Sequence, residues 1–163
     1  MSLDFKTLIE QKDEVIHDYR DKKYQSIVGN SDKIKVFMGE AYFTGRREVT
    51  VGEHVLTASS FLVATGTTPA VPDIPGLSDT PFLTSDLLTS NEDMELKDLP
   101  ASLVILGGGY IALELGQMFS RFGTKVTILQ RGERIISNYE PDLSESVLEV
   151  FREEGIDIFT SAK

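Results

Sequence analysis

The chain is 163 residues long, enough for one ordinary domain or two small incomplete ones. Its 16 Lys and Arg against 26 Asp and Glu leave a formal charge of -10, which removes any electrostatic motive for binding nucleic acid or an anionic lipid surface. It contains no cysteine, which excludes intrachain disulfides, thiolate metal sites and cysteine nucleophiles among these residues.

Apolar residues make up 40% and charged residues 26%, the balance of a soluble globular protein. No run approaches the roughly 18 apolar residues of a membrane span, and no signal peptide opens the chain, so a cytoplasmic location is expected. The histidines, His17 and His54, sit far apart in unrelated contexts. Neither is expected to act as catalyst or ligand, and no metal site is expected.

In chain order, Phe5, Leu8, Ile9, Val15, Ile16 and Tyr19 recur at helical spacing. The pattern predicts an amphipathic helix from Phe5 to Lys22 with Asp4 as its N-cap. Gly29 through Asp32 reads as a turn. Short runs follow at Ile34–Val36–Met38, Ala41–Phe43, Val49–Val51 and Val55–Val63, punctuated by Gly39, Gly45 and Gly52. They predict an antiparallel meander with Phe61–Ala64 as its most buried strand. Pro69, Pro72 and Pro75 then keep the chain extended, because proline fixes φ and removes a donor. Residues 77–100 are polar and read as a crossing that ends at Pro100.

From 101 onwards the pattern changes. A buried parallel strand is expected at Leu103–Leu106, a helix at Tyr110–Phe122, and a second strand at Lys125–Leu129. A helix opened by Pro141, with Leu143, Val147, Leu148 and Phe151 on one face, is stopped at Gly155. Ile156–Phe159 gives a third strand. The fold class is therefore α/β: an incomplete Rossmann-like βαβαβ nicotinamide-binding half-domain, preceded by a helix and antiparallel β-meander. Three sections follow, at 1–76, 77–100 and 101–163.

Gly107-Gly108-Gly109 between the first strand and its helix carries the chemistry. Such a turn offers backbone N–H groups at a helix N-terminus to a pyrophosphate. Gly107 permits the turn, Gly109 lets the phosphates approach the backbone, and Ala112 and Gly116 let the helix pack closely. A packing loop without ligand is the alternative. At the end of the second strand an NAD site usually carries Asp or Glu to hold the adenosine ribose. Here Gln130 is followed by Arg131 and Arg134, which suit a 2′-phosphate, so NADPH is favoured over NADH. Both arginines facing solvent is the bland alternative. Tyr110 and Glu114 share a helix face, where they could orient a nicotinamide or simply decorate the surface.

Two signatures resemble the pyridine nucleotide-disulfide oxidoreductases. One is Leu62-Val-Ala-Thr65-Gly66-Thr-Thr-Pro69-Ala-Val-Pro72-Asp-Ile-Pro75-Gly76, the other Gly107-Gly-Gly109-Tyr110-Ile-Ala112-Leu-Glu114, with Thr84-Ser85-Asp86 between them. The resemblance covers essentially the whole chain. Within the family the mercuric reductases are nearest in pattern, through Phe61–Gly66, Phe119–Leu129 and Tyr139–Asp142.

The resemblance implies FAD and NADPH in the full-length parent, with electrons passing from NADPH through FAD to a cysteine pair and then to Hg(II). It places Thr65 and Gly66 near FAD, and Gly107, Gly109 and Ile111 at the dinucleotide. It implies Tyr110 and Glu114 at the nicotinamide and Arg131 at the 2′-phosphate, where Arg134 has weaker positional support. It also implies a homodimeric parent. The family's FAD-binding glycine loop, its paired cysteines and its C-terminal dimerisation domain are not among these residues. The expectation is an interior fragment that is inactive by itself, need hold neither cofactor, and could self-associate through exposed edges. A non-catalytic NAD(P)-binding module is the alternative.

Overall fold

A computed structural model describes residues 4–25, 32–88, 96 and 98–163. The chain forms two compact units, one of Lys12–Ser90 and one of Met1–Gln11 with Asn91–Lys163. The fold is α/β, and the described residues form one antiparallel and one parallel sheet, each of three strands.

Helix α1 spans Phe5–Arg20 and continues into a short π-helical stretch, Asp21–Gln25. Asp4 caps it as expected: its carboxylate accepts the Thr7 N–H at 3.1 Å and the Thr7 hydroxyl at 2.8 Å. Those bonds hold the Asp4 carboxyl below its ordinary pKa. Of the apolar stripe, only Phe5 is buried, its ring edge-on to Phe122 at 6.3 Å.

In the Lys12–Ser90 unit, β1 (Ala41–Gly45), β2 (Glu48–Val51) and β3 (His54–Thr57) form the expected meander. Val49 and Val51 on the central strand are buried. Two expectations fail. Phe61–Ala64 is neither strand nor core: Leu62 is 93% exposed, and Phe61 and Val63 are also exposed. The cause lies in the partner strand. Beyond the bond from Ala58 N–H to Arg47 C=O, β2 has already turned away at Arg46–Arg47, so the chain past Ala58 has no ladder to join. Ile34–Met38 likewise forms no strand, with Ile34, Val36 and Met38 exposed and Phe37 packed edge-on to His54. Residues 65–74 run without regular structure, as their prolines require. Of the polar crossing, Ser85–Leu88 forms a 3-10 turn. Gly29–Ser31 of the expected turn, and Asn91, Glu92, Asp93 and Glu95 of the crossing, lie outside the described residues.

In the other unit, β4 (Ser102–Leu106), β5 (Lys125–Leu129) and β6 (Asp157–Phe159) are parallel in the order β4-β5-β6. Between them run α2 (Tyr110–Arg121) and α3 (Pro141–Glu153), completing a Rossmann-like βαβαβ unit. The strand β4 is parallel as expected but not buried. It stands at the sheet's edge with Val104 and Leu106 exposed, and β5 is the central strand. Phe119, Val126, Ile128, Ile135 and Ile156 form the core.

Gly116 lets α2 approach the sheet. A Cβ there would lie 3.1 Å from Ile128 Cδ1 and 3.3 Å from Ile105 Cδ1. The helix ends where Gly123 takes φ +102°, and Thr124 ties the return to β4 through its hydroxyl bond to Pro100 C=O at 2.7 Å. The expected face of α3 is only partly buried, with Phe151 inside and Leu143 exposed, while Ser144 donates to Ile135 C=O at 2.9 Å. At the far ends of both helices, Glu154 accepts from Arg121 Nη2 at 2.8 Å and from Gln117 Nε2 at 2.9 Å. The Arg121 guanidinium holds the Glu154 carboxyl below its ordinary 4.5.

Two outcomes follow from this packing. Replacing Gly116 by Val pushes two methyl groups into Ile128 and Ile105, and should cost about 1–3 kcal/mol in urea unfolding. For Glu154 the folded pKa lies below the unfolded one. Its stabilisation is therefore complete above pH 4.5 and disappears as the pH falls through the folded value. Glu154→Gln should accordingly unfold at lower urea than the parent at neutral pH, and the difference should shrink towards zero on acidification.

Candidate dinucleotide-binding turn

Parallel, in-register pairing of β4 with β5 sets Leu106 opposite Leu129, so the chains leaving both strands emerge side by side. The glycine turn therefore sits at the carboxyl edge of the sheet, against the segment that leads from β5 to α3. Each glycine answers a different constraint. Gly107 takes φ +109°, a region that side chains disfavour, while its N–H bonds Leu129 C=O at 2.8 Å. Gly108 is buried, and a Cβ on it would meet Ile135 Cγ2 at 2.9 Å. Both of its backbone groups are bonded: the N–H to Gln130 Oε1 at 2.9 Å, the C=O to Ile136 N–H at 2.7 Å.

Gly109 is the exception. It caps α2 at φ -80° and ψ 173°, a conformation open to any residue, and a Cβ would find nothing within 4 Å. Neither backbone nor packing requires glycine there. Leu113 N–H is the first to bond within the helix, reaching Gly109 C=O at 3.1 Å. The N–H groups of Gly109, Tyr110, Ile111 and Ala112 therefore have no intrahelical acceptor and carry the positive end of the helix dipole. They sit at an exposed surface, with Tyr110 64% exposed and Ile111 also exposed. Open space in front of free amides fits an anionic pyrophosphate.

Tyr110 opens α2 and Glu114 follows one turn later on the same face, both exposed and neither paired with a side chain among the described residues. Arg131 is exposed and unpaired among the described residues, whereas Arg134 is half-buried and its Nη1 is buried without a hydrogen-bond partner. The turn residues and both arginines thus belong to one unit and to one edge of one sheet. Thr65 and Gly66 belong to the Lys12–Ser90 unit, exposed, with Gly66 at φ +74°. Two concavities, at Thr44–Ser59 and at Arg152–Phe159, are lined by none of these residues.

In the sequence Gln130 reads only as a neutral amide where an NAD site usually carries a carboxylate. In the fold its side chain bridges the turn to Arg134 C=O, which Nε2 reaches at 3.1 Å. The available signal was its position one residue past β5, opposite a glycine turn, where an amide can both donate and accept. Ile136, at φ +39° with its N–H on Gly108, was also missed, and a β-branched residue in that region has no sequence signal.

The model of the pyridine nucleotide-disulphide oxidoreductase family matches residues 4–163. The chain is 41% identical over 157 residues to the mercuric reductase of Staphylococcus aureus, covering 96% of this chain and 28% of that one. It is 40% identical over 162 residues to that of Lysinibacillus sphaericus, covering 98% of this chain and 28% of the relative. Among solved structures, the HOCl-induced flavoprotein disulfide reductase RclA from Escherichia coli superposes with a TM-score of 0.86 at 32% identity. That match covers 99% of this chain and 36% of RclA. The chain thus spans roughly a third or less of the relatives it matches. The family model spans nearly every residue, the βαβ turn included, and the chain belongs to the pyridine nucleotide-disulphide oxidoreductases.

Proposed function

We propose that this chain is an NAD(P)-binding module of its family, taking NADPH in preference to NADH at the Gly107–Tyr110 turn. The observation that carries the proposal is Gly109, a glycine that neither the backbone nor the packing demands, in front of open space at a helix N-terminus. A ligand phosphate brought against those amides accounts for it. Gly107 shapes the turn, and Ile111 contributes an amide of the first helical turn. Tyr110 and Glu114, exposed side by side, suit the nicotinamide end of the ligand.

Arg131, exposed and unpaired among the described residues, suits the 2′-phosphate, where a guanidinium gives charge-assisted bonds. Arg134 is the weaker candidate because its Nη1 is already inside the protein. In a longer enzyme of this family the Gly107–Tyr110 turn would hold NADPH, a hydride source, and Thr65 and Gly66 would lie at FAD, which would carry electrons to a thiol pair. The 163 residues hold no thiol to receive those electrons, so the module by itself reduces no disulfide by that route.

A second reading concerns the longer protein. The mercuric reductases among its relatives favour Hg(II) as terminal acceptor. NADPH oxidation dependent on Hg(II), measured on the longer reading frame with any cysteine pair it encodes, decides this. Oxidation indifferent to Hg(II) removes it.

Two substitutions test the module itself by calorimetric titration. Gly109→Ala should leave unfolding within about 0.5 kcal/mol of the parent, since the methyl touches nothing. It should weaken NADPH about tenfold or more by occupying the phosphate's approach. Unchanged NADPH affinity would refute the turn as the site. Arg131→Met should weaken NADPH by roughly tenfold to a hundredfold while leaving NADH as it was. Equal losses for both nucleotides would remove the 2′-phosphate assignment.

A further inference from the structure

Gln130 lies at the junction of the glycine turn and the β5–α3 segment, and every one of its polar groups is bonded. Its backbone N–H reaches Phe159 C=O at 2.8 Å, and its C=O accepts Ala162 N–H at 3.0 Å, fixing the residue to the chain at and beyond β6. Its side-chain oxygen accepts Gly108 N–H at 2.9 Å, and its side-chain nitrogen donates to Arg134 C=O at 3.1 Å.

The side chain is also enclosed by two glycines. A Cβ on Gly108 would lie 3.2 Å from Gln130 Cβ, and a Cβ on Gly132 would lie 2.9 Å from Gln130 Nε2. Gly132 is itself held, its C=O accepting Ser161 N–H at 2.9 Å. From 131 to 134 the chain alternates exposed, half-buried, exposed, half-buried, leaving Arg131 and Glu133 as the residues directed to solvent.

We infer that Gln130 is a positioning residue: its amide clasps the pyrophosphate turn to the segment carrying Arg131, and so sets where that guanidinium meets a 2′-phosphate. The inference rests on the nucleotide reading above and deepens it. The chemistry of the site calls for an amide and not a carboxylate. A glutamate could still accept from Gly108, but its second oxygen would face the Arg134 carbonyl, acceptor against acceptor. A methionine of similar length would fill the space and make neither bond.

The test has two arms. The first uses no nucleotide: amide hydrogen exchange, read by NMR, in the parent and in Gln130→Met. The clasp predicts that Gly108 N–H exchanges about five- to tenfold faster in the variant while Ile128 N–H on the central strand keeps its rate. Unaltered Gly108 exchange overturns the clasp. Gln130→Glu serves as a second variant where the methionine form does not fold, and should free the Arg134 side while still protecting Gly108. Loss of Gly108 protection there overturns the clasp too.

In the second arm, NADPH and NADH are titrated into the parent, Gln130→Met, Arg131→Met and the double variant. Gln130→Met should weaken NADPH about fivefold or more and leave NADH within about twofold. In the Arg131→Met background it should have no further effect on NADPH. Equal losses for both nucleotides, or additive losses in the double variant, would reduce Gln130 to a stabilising residue and refute the positioning role. A parent that binds neither nucleotide refutes the nucleotide reading and the positioning role together, and the exchange arm still decides separately whether the clasp exists.

Discussion

The unit containing the candidate site depends on the parallel register between β4 and β5. Parallel strands send their C-terminal ends to the same edge of a sheet, so the turn after one must share space with the turn after the other. In this chain the shared space is nearly filled. Gly108 is pressed between Ile135 and Gln130 with both backbone groups bonded. Pairing Leu103 with Thr127 instead of Val126 would turn each side chain of one strand towards the opposite neighbour and separate those partners. The position of the helix amides, the burial of Ile135 and the setting of Arg131 all descend from that one alignment.

That constraint also separates the glycines of the turn and of α2 by purpose. Gly107 is required by its dihedral angle, Gly108 by the side chains above it, and Gly116 by the distance between helix and sheet. Once those three are explained by the protein's own geometry, Gly109 stands apart as a glycine the protein does not need for itself. It is this remainder, not the number of glycines, that distinguishes the turn from a packing loop.

Much of the second half was legible in the sequence because its signals are local. Apolar residues between Gly123 and Gly132 marked Lys125–Leu129 to the residue, Pro141 marked the start of α3, and Gly123 and Gly155 marked the ends of α2 and α3. What sequence could not convey was who pairs with whom. Phe61–Ala64 is as apolar as a core strand, but a strand is buried by its neighbours, and the one it would follow turns away at Arg46–Arg47. The same blindness made β4 look buried when it lies at an edge, and left α1 with a stripe whose only buried residue is Phe5. At the site, the turn and the arginines were readable from residue type and spacing. The Gln130 bridge was not, because it joins positions 22 apart through a register that only the folded sheet establishes.

Ile136 carries a consequence for how this surface comes into being. A β-branched residue at φ +39° is held against its own backbone preference, at a cost on the order of 1–3 kcal/mol, by bonds and burial around it. Its N–H finds Gly108 C=O, and Ile135 beside it reaches full burial, only when the strands are already aligned. The connection between β5 and α3 therefore draws its stability from the aligned strands and not from its own backbone preference. It holds only with the strands in place, like a buckle on a threaded strap, so the surface around the glycine turn is completed together with the sheet.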